Sequence, residues 1–398
     1  MILDAPIAVN DVFGRLIEEL ASRISKRWQD QQFSDQAFPL IAADELAHSQ
    51  VVQGFQIEQF MDWVLGSPNL TMQNFRKFGE PPLNLYVGSR FFIECLVWPQ
   101  GETSIHEHAF PGAFSVVHGK SIHTTYEFEP LPNQPAHFCF GSARLTNAEI
   151  LMPGSTRQIH LGAALTHALY HVEAPTLSIV ARTRGRRQTP QHVLLFPNVL
   201  ALADLEEPEE TLVTLMATLS RLNQATYERN LERMLTTLSK YAAFKVLYAG
   251  LKHCPDVVHR TRSCAEGHLR DIFDNLVPIA ERHVRIDELA KIVHDTDDPE
   301  VRYFLALVLN VPSLSHLLRL VEEWRPQMDP RQTAGQVIEK FVSSGSHIDF
   351  DGHLARFVAD TLGGPTYRPD PSVFAKASKA WDLLCSRMFM GALLEAPQ

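Results

Sequence analysis

The stretch RFFIECLVWPQGETSIHEH, residues 90–108, decides the fold. It opens with a β-branched and aromatic run bounded by a Pro-x-Gly turn. It ends on two histidines two positions apart, which a strand turns to one face while Glu107 points to the other. From about Pro81 to Arg187 the same rhythm continues: RFFIECLVW, SIHEH, AFSVVHG, SIHTTYEFE, AHFCFGSARL, AEILM and TLSIVART follow one another, separated by Pro111-Gly112, His118-Gly119, Pro132-Asn133 and Pro153-Gly154. Short strands without an intervening helical pattern predict an antiparallel sandwich or barrel and argue against a parallel βαβ sheet.

Outward from this block the pattern becomes helical. Val12, Phe13, Leu16, Ile17, Leu20, Ile24 and Trp28 recur at helical spacing after Asp11, the expected N-cap. A second helix is expected through ADELAHSQVVQGFQIEQFMDWVLG, capped by Asp44 and stopped by Gly66, Ser67 and Pro68. Beyond His192, the acidic Leu205–Glu210 stretch leads into long Leu-, Met- and Ala-rich helical patterns, with FAKASKAWDLLCSRMFMGALL continuing the style near the C-terminus. The expectation is an α+β chain: an N-terminal helical segment over 1–78, a central antiparallel β-barrel of jelly-roll type over 79–190, and an all-helical C-terminal domain over 191–398. DTDDPEVRYFLALVLNVPSLSHLLRLVEEW has the look of a HEAT-like helical pair, without a second copy at a period of about 40 to 47 residues.

At 398 residues the chain has ample length to bury cores without disulfides. Its formal charge of −10, from 36 basic and 46 acidic residues, argues against a nucleic-acid partner, which needs a basic surface. Five scattered cysteines suit a reducing compartment, and no apolar window approaches the roughly 18 residues of a membrane span, so a cytoplasmic location is expected. The unusual count is histidine. Eight of the 18 (His106, His108, His118, His123, His137, His160, His167 and His171) fall within 66 residues.

The run Trp98 to His108 resembles the first motif of the cupin superfamily, and most closely its cysteine-dioxygenase-like branch, in which W-x-x-G precedes S-x-I-H-D-H. Pro153-Gly154 resembles the turn before the second motif, and Leu169-Tyr-His-Val-Glu173 the branch's L-H-x-V-E segment. The resemblance covers about a quarter of the chain and implies a three-histidine metal site of His106, His108 and His171, with His160 and then His167 as rivals for the third place. Pro111 and Gly112 stand where most cupins place a ligating glutamate. Three imidazoles leave a divalent ion its full charge and open positions on one face. The implied metal is Fe(II), although imidazole also serves Mn, Ni, Co and Zn.

The branch's Ser-His-Tyr relay is reduced to Ser178, with Val180 and Arg182 in the other two places, and Ala113 stands where some members carry a crosslinked cysteine. His118, His123 and Tyr170 are candidate acid/base or supporting groups. Arg90, Arg182 and Tyr126 are candidate substrate-binding residues, and the Arg182, Arg184, Arg186, Arg187 run reads as a solvated loop or an anion clamp. Farther on, His253, Cys254, His259, Cys264 and His268 fit no zinc spacing, and Asp295, Asp297, Asp298 and Glu300 read as a helix cap.

The expected activity is that of a mononuclear metal oxygenase inserting oxygen from O2 into a metal-chelating small molecule, thiol, amino acid or peptide, as in secondary metabolism. The helical flanks are expected to close the barrel mouth or enlarge the pocket. The alternatives are a non-redox metal-dependent isomerase, lyase or hydrolase, and a sensor or scaffold whose C-terminal helices bind a protein partner.

Overall fold

A computed structural model describes residues 12–66, 73, 81–99, 101, 104–173, 175–184, 190–203, 205 and 207–343. The expectations placed on Asp11, Ser67 and Pro68, Arg186 and Arg187, and the FAKASKAWDLLCSRMFMGALL helix lie outside these residues. The described residues fall into two compact units, one within 1–129 and 143–196 and the other within 130–142 and 197–398.

The first unit begins with α1 (Val12–Asp30), α2 (Phe38–Ala47), α3 (Gln50–Gln53) and α4 (Ile57–Leu65). The expected single second helix is thus three. Ser49 caps α3 by accepting a hydrogen bond from Val52 N at 3.2 Å, and Gly54 ends it. Asp44 lies inside α2 and pairs with Arg27 instead of capping.

Eleven strands follow among the described residues: β1 (Pro82–Val87), β2 (Phe91–Trp98), β3 (His106–His108), β4 (Gly112–His118), β5 (Ser121–Pro130), β6 (Phe138–Leu151), β7 (Thr156–Ile159), β8 (Gly162–His171), β9 (Thr176–Thr183), β10 (His192–Leu195) and β11 (Val199–Leu202). One sheet has the order β1-β2-β9-β4-β7, and the other strands close a barrel in the order β10-β11-β6-β5-β8-β3. The segments AHFCFGSARL and AEILM are a single strand, β6, because Thr146 and Asn147 continue the extended chain and no glycine or proline stands between the two segments. Strand β8 is unmarked in the sequence, since Gly162-Ala-Ala-Leu carries little of the β-branched and aromatic character that signals a strand.

The five-stranded sheet is buried on both faces, and the period of two in its strands divides the work. On one face Phe91, Ile93 and Cys95 of β2, Ala113 and Val117 of β4, and Leu177, Ile179 and Ala181 of β9 join Ile17, Leu20, Ile24, Trp28, Phe38 and Leu46 of the helices in one core. Trp28 and Phe38 pack on the Phe91 ring at centroid distances of 6.3 and 5.7 Å. The N-terminal helices therefore belong to the same body as the strands, and they cover the sheet face away from the clustered histidines. On the other face Leu96, Phe114, Val116 and Val180 form a second core with Leu151, Ile159 and Leu169. Gly112 is needed where β4 meets β9: a Cβ there would stand 2.6 Å from the carbonyl oxygen of Ala181.

In the second unit, the long helical pattern after Glu207 is cut into α5 (Glu207–Leu222), α6 (Gln224–Thr237) and α7 (Lys240–His253). Asn223 caps α6 and Ser239 caps α7 through their side chains. There follow α8 (Pro255–Cys264), α9 (Gly267–Asp295), α10 (Pro299–Asn310), α11 (Leu314–Trp324) and α12 (Pro330–Ser343). Asp298 caps α10, accepting from Glu300 N and Val301 N at 3.0 and 3.1 Å, as its position before a Pro-Glu start requires. Among the described residues no helix is long and apolar enough to cross a membrane.

Candidate metal centre

Strand β3 is three residues long and turns His106 and His108 to one side, while the buried Glu107 faces the other and accepts a hydrogen bond from His192 Nδ1 at 2.8 Å. Its neighbour β8 pairs antiparallel with it in a register that sets His167 opposite His106. The three imidazoles consequently form a nearly equilateral triangle, with ring centroids 4.7, 4.9 and 5.0 Å apart. Each offers one ring nitrogen, these nitrogens all lie within 4.8 Å of one another, and all three side chains are buried. Among the described residues this is the one group of histidine, cysteine and carboxylate side chains placed to hold a metal ion.

His167 thus replaces His171 as third member of the triangle. Both are four apart on β8, so alternation sends both side chains to the same face. Their depth along the strand separates them: His171 lies four residues, about 13 Å, farther on, at the strand end, where it pairs with Ser121. There its ring stacks on Trp98 at 4.8 Å and its Nδ1 meets Ser121 Oγ at 3.0 Å. His160 is half-buried just before β8 and stands outside the group.

The donor chemistry fits a divalent cation. Burial holds His106 below its ordinary range, against a hydrogen bond from its Nδ1 to the carbonyl of Ser104 that works in the opposite direction. His108 and His167 are pushed well below theirs, first by burial and then by neighbouring rings, with Arg182 adding to the effect on His108. All three are neutral at pH 7 and able to offer lone pairs. His108 Nε2 and His167 Nε2 face each other at 2.8 Å. Two imidazole nitrogens bound side by side to one ion at about 2.1 Å each stand about 3 Å apart.

The triangle forms one wall of a cavity of about 230 Å³. Its other walls are mainly apolar, with Leu96, Phe110, Phe114, Leu169 and Val180 among them. Polar groups are few. Arg182 Nε donates to Glu94 Oε1 at 2.6 Å, and the guanidinium lies 4.3 Å from the Phe92 ring centroid and 4.4 Å from that of Phe110. Glu94 is buried and Arg182 nearly so, which makes the pair a self-neutralising dipole in the cavity wall. Ser178, two residues from Val180 and four from Arg182 on the same face of β9, is 2% exposed, and its hydroxyl has no hydrogen-bond partner.

The other sequence candidates scatter. His123 is buried beside His167, with Nε2 2.9 Å from its Nδ1. His118 ends β4 exposed to solvent. Tyr126 and Tyr170 fall on the alternate face of β5 and β8 from His123 and His167, and Tyr126 packs on Phe196 at 5.6 Å. Arg90 is exposed, with its guanidinium 4.0 Å from the Phe33 ring centroid, away from the cavity. Arg184 donates to the carbonyl of Gly88. Sequence reasoning did not single out Glu94, Glu149 or Arg157. Their signal lies in cross-strand neighbours, which exist only once the pairing is known. The His253 to His268 group disperses: His253 accepts from Arg221, Cys254 is buried and Cys264 is exposed.

No protein-family profile matches the chain, and no curated protein matches it. Among solved structures, part of the chain is similar to the DMSP lyases RdDddP and RnDddQII, at 17% identity over 46% of this chain and 99% of that one, with a TM-score of 0.24. It is also similar to a cupin-2 domain containing protein from Shewanella frigidimarina, at 18% identity over 32% of this chain and 99% of that one, with a TM-score of 0.19. A third similarity is to hydroquinone 1,2-dioxygenase PnpCD in complex with Cd2+ and 4-hydroxybenzonitrile, at 12% identity over 26% of this chain and 63% of that one, with a TM-score of 0.20.

Proposed function

We propose that His106, His108 and His167 hold a single Fe(II) ion and that the protein is an oxygenase acting on a small metal-chelating molecule. The observation that carries this reading is three buried, neutral imidazoles converging on one wall of an otherwise apolar cavity. When bound there, Fe(II) supplies a Lewis-acidic, redox-active centre for a substrate and O2. The donor set contains no carboxylate, which leaves the ion its full charge and favours an anionic substrate group.

The chain's own residues do the rest. Phe110, Phe114, Leu169 and Val180 exclude water and take the apolar body of the substrate. The Ser178 hydroxyl, buried and unpaired, gains a hydrogen bond when a polar substrate group reaches it. Arg182 is held rigidly between two phenylalanines and by Glu94, so it orients a carboxylate or other acceptor as a fixed donor. With Val180 where a cysteine dioxygenase relay has its histidine, thiol dioxygenation lacks that branch's proton-handling group. A substrate with a larger apolar body than cysteine fits these walls better.

The test is oxygen uptake. Protein loaded anaerobically with Fe(II) is mixed with a panel of thiols, amino acids and aromatic chelators such as catechol, and dissolved oxygen is followed. At least one member should drive stoichiometric uptake that His108→Ala abolishes. Turnover under nitrogen with Zn(II) in place of Fe(II) would replace the oxygenase with a non-redox lyase or isomerase.

A further inference from the structure

Two hydrogen-bond chains reach the back of the histidine triangle, and each leads to an oxygen that can only accept. His106 Nδ1 lies 2.7 Å from the carbonyl oxygen of Ser104. A carbonyl has no proton to give, so Nδ1 carries it and Nε2 keeps the lone pair. The second chain is longer and made of side chains. Arg157 grips Glu149 with both Nε, at 2.8 Å, and its terminal nitrogen. Glu149 Oε1 in turn stands 2.9 Å from His123 Nδ1, and His123 Nε2 stands 2.9 Å from His167 Nδ1.

The direction of each bond in the second chain follows from the first. A carboxylate gripped by arginine is acceptor-only, so the proton on His123 sits at Nδ1. In its neutral form His123 then has a bare Nε2, which accepts from His167 Nδ1. His167 is left with its lone pair on Nε2, the nitrogen 2.8 Å from His108 Nε2 and turned into the triangle. Reversing any one bond would place the His167 proton on that nitrogen and close it to a cation. The four residues come from four strands, β5, β6 and β8 of the barrel and β7 of the five-stranded sheet, so the chain exists only in the folded unit.

We propose that Glu149 and His123 are positioning residues that fix the tautomer and ring orientation of His167, through the chain Arg157–Glu149–His123–His167, and thereby set the affinity of the centre for divalent metal. This rests on the metal reading of the three histidines. Arg157 orients the carboxylate, and the carboxylate determines which nitrogen of each imidazole carries hydrogen. Ligating histidines characteristically donate their other N–H to a carboxylate or carbonyl, and loss of that partner weakens metal binding about 10- to 100-fold. Here the partner is a carboxylate acting through an interposed imidazole.

The experiment has two readouts on the full chain. Nitrogen NMR of metal-free protein with labelled histidines reads the tautomers directly, and Co(II) titration followed by its visible absorption reads affinity. In wild-type protein His167 should be the Nδ1–H tautomer. In His123→Phe and Glu149→Ala it should become mixed or shift to Nε2–H, with Co(II) affinity falling by about 10- to 100-fold. His123→Gln carries an amide oxygen out to the position of Nε2, keeps an acceptor for His167 Nδ1 and should recover part of the loss, which a purely structural role for the ring would not produce. Circular dichroism confirms that each variant is folded. Unchanged tautomer and affinity in Glu149→Ala would overturn the proposal while leaving the metal site standing. A wild-type chain that binds no Co(II) but shows the tautomer shift would retain the positioning chain and overturn the metal reading; binding without any shift would refute the chain alone.

Discussion

His171 is a buried base, and protonation should therefore cost the fold measurably. Burial pushes its imidazole from the ordinary value of 6.5 down to about 3. In the unfolded chain it binds a proton near pH 6.5; in the folded barrel it stays neutral down to about pH 3. Between those limits the unfolded state holds more protons, so stability is complete above 6.5 and falls as the pH drops toward 3. The slope for one such group is about 1.4 kcal/mol per pH unit, which amounts to about 2 kcal/mol at pH 5. The perturbation is His171→Phe, which keeps a ring for Trp98 to stack on. It also strands the Ser121 hydroxyl, a cost that is the same at both pH values and cancels in the difference. The assay is urea unfolding of metal-free wild type and variant at pH 7 and pH 5. Wild type should lose about 2 kcal/mol more than the variant between the two conditions, a relative midpoint shift of about 1 M for an m-value near 2 kcal/mol/M. Glu149 does not confuse the window. Its burial is outweighed by hydrogen bonds from Arg157 and His123, its pKa is lowered from 4.5 to about 2, and its stability is lost only as pH falls below 4.5. Equal pH dependence in the two proteins would refute the placement of His171 as a buried neutral ring.

Further expectations concern the cavity wall. Ser178→Ala removes an unsatisfied buried hydroxyl and should raise the stability of the ligand-free protein by about 1 kcal/mol, read by thermal unfolding, while weakening substrate binding. Arg182→Met leaves Glu94 buried without its partner and should cost about 3 to 5 kcal/mol; Glu94→Gln together with Arg182→Met should recover much of that, as urea unfolding of both would reveal. Gly112→Ala, whose methyl would meet the Ala181 carbonyl, should destabilise the sheet by more than about 1 kcal/mol and lower the unfolding midpoint.

Much of this architecture was legible before any coordinates. Strand β2 is written in FFIECLVW, whose apolar run, interrupted only by Glu94, reports burial on both faces, and the Asp298 cap is written in Asp-Pro-Glu. His106 and His108 were legible because the two-residue period of a strand acts within three residues. The third histidine was not. His167 and His171 share a face of one strand, and the choice between them is made by the register of β8 against β3, a pairing between residues about sixty positions apart in sequence. The weak strand signal of Gly162-Ala-Ala-Leu hides the start of β8, and the Leu169–Glu173 motif marks only its end. Arg90 and Arg182 show the same limit. Both begin or end a strand with a cation, yet Arg90 faces Phe33 at the surface and Arg182 faces Glu94 in the cavity wall. What sequence leaves open in each case is the neighbour across the sheet.

The central claim is that His106, His108 and His167 form one metal centre. The measurement that tests it most directly is the metal content of protein reconstituted anaerobically with Fe(II) and freed of excess ion, compared among wild type, His167→Ala and His171→Ala. About one Fe(II) per chain is predicted in wild type and in His171→Ala, and almost none in His167→Ala. Full iron in His167→Ala, or its loss in His171→Ala alone, would contradict the account.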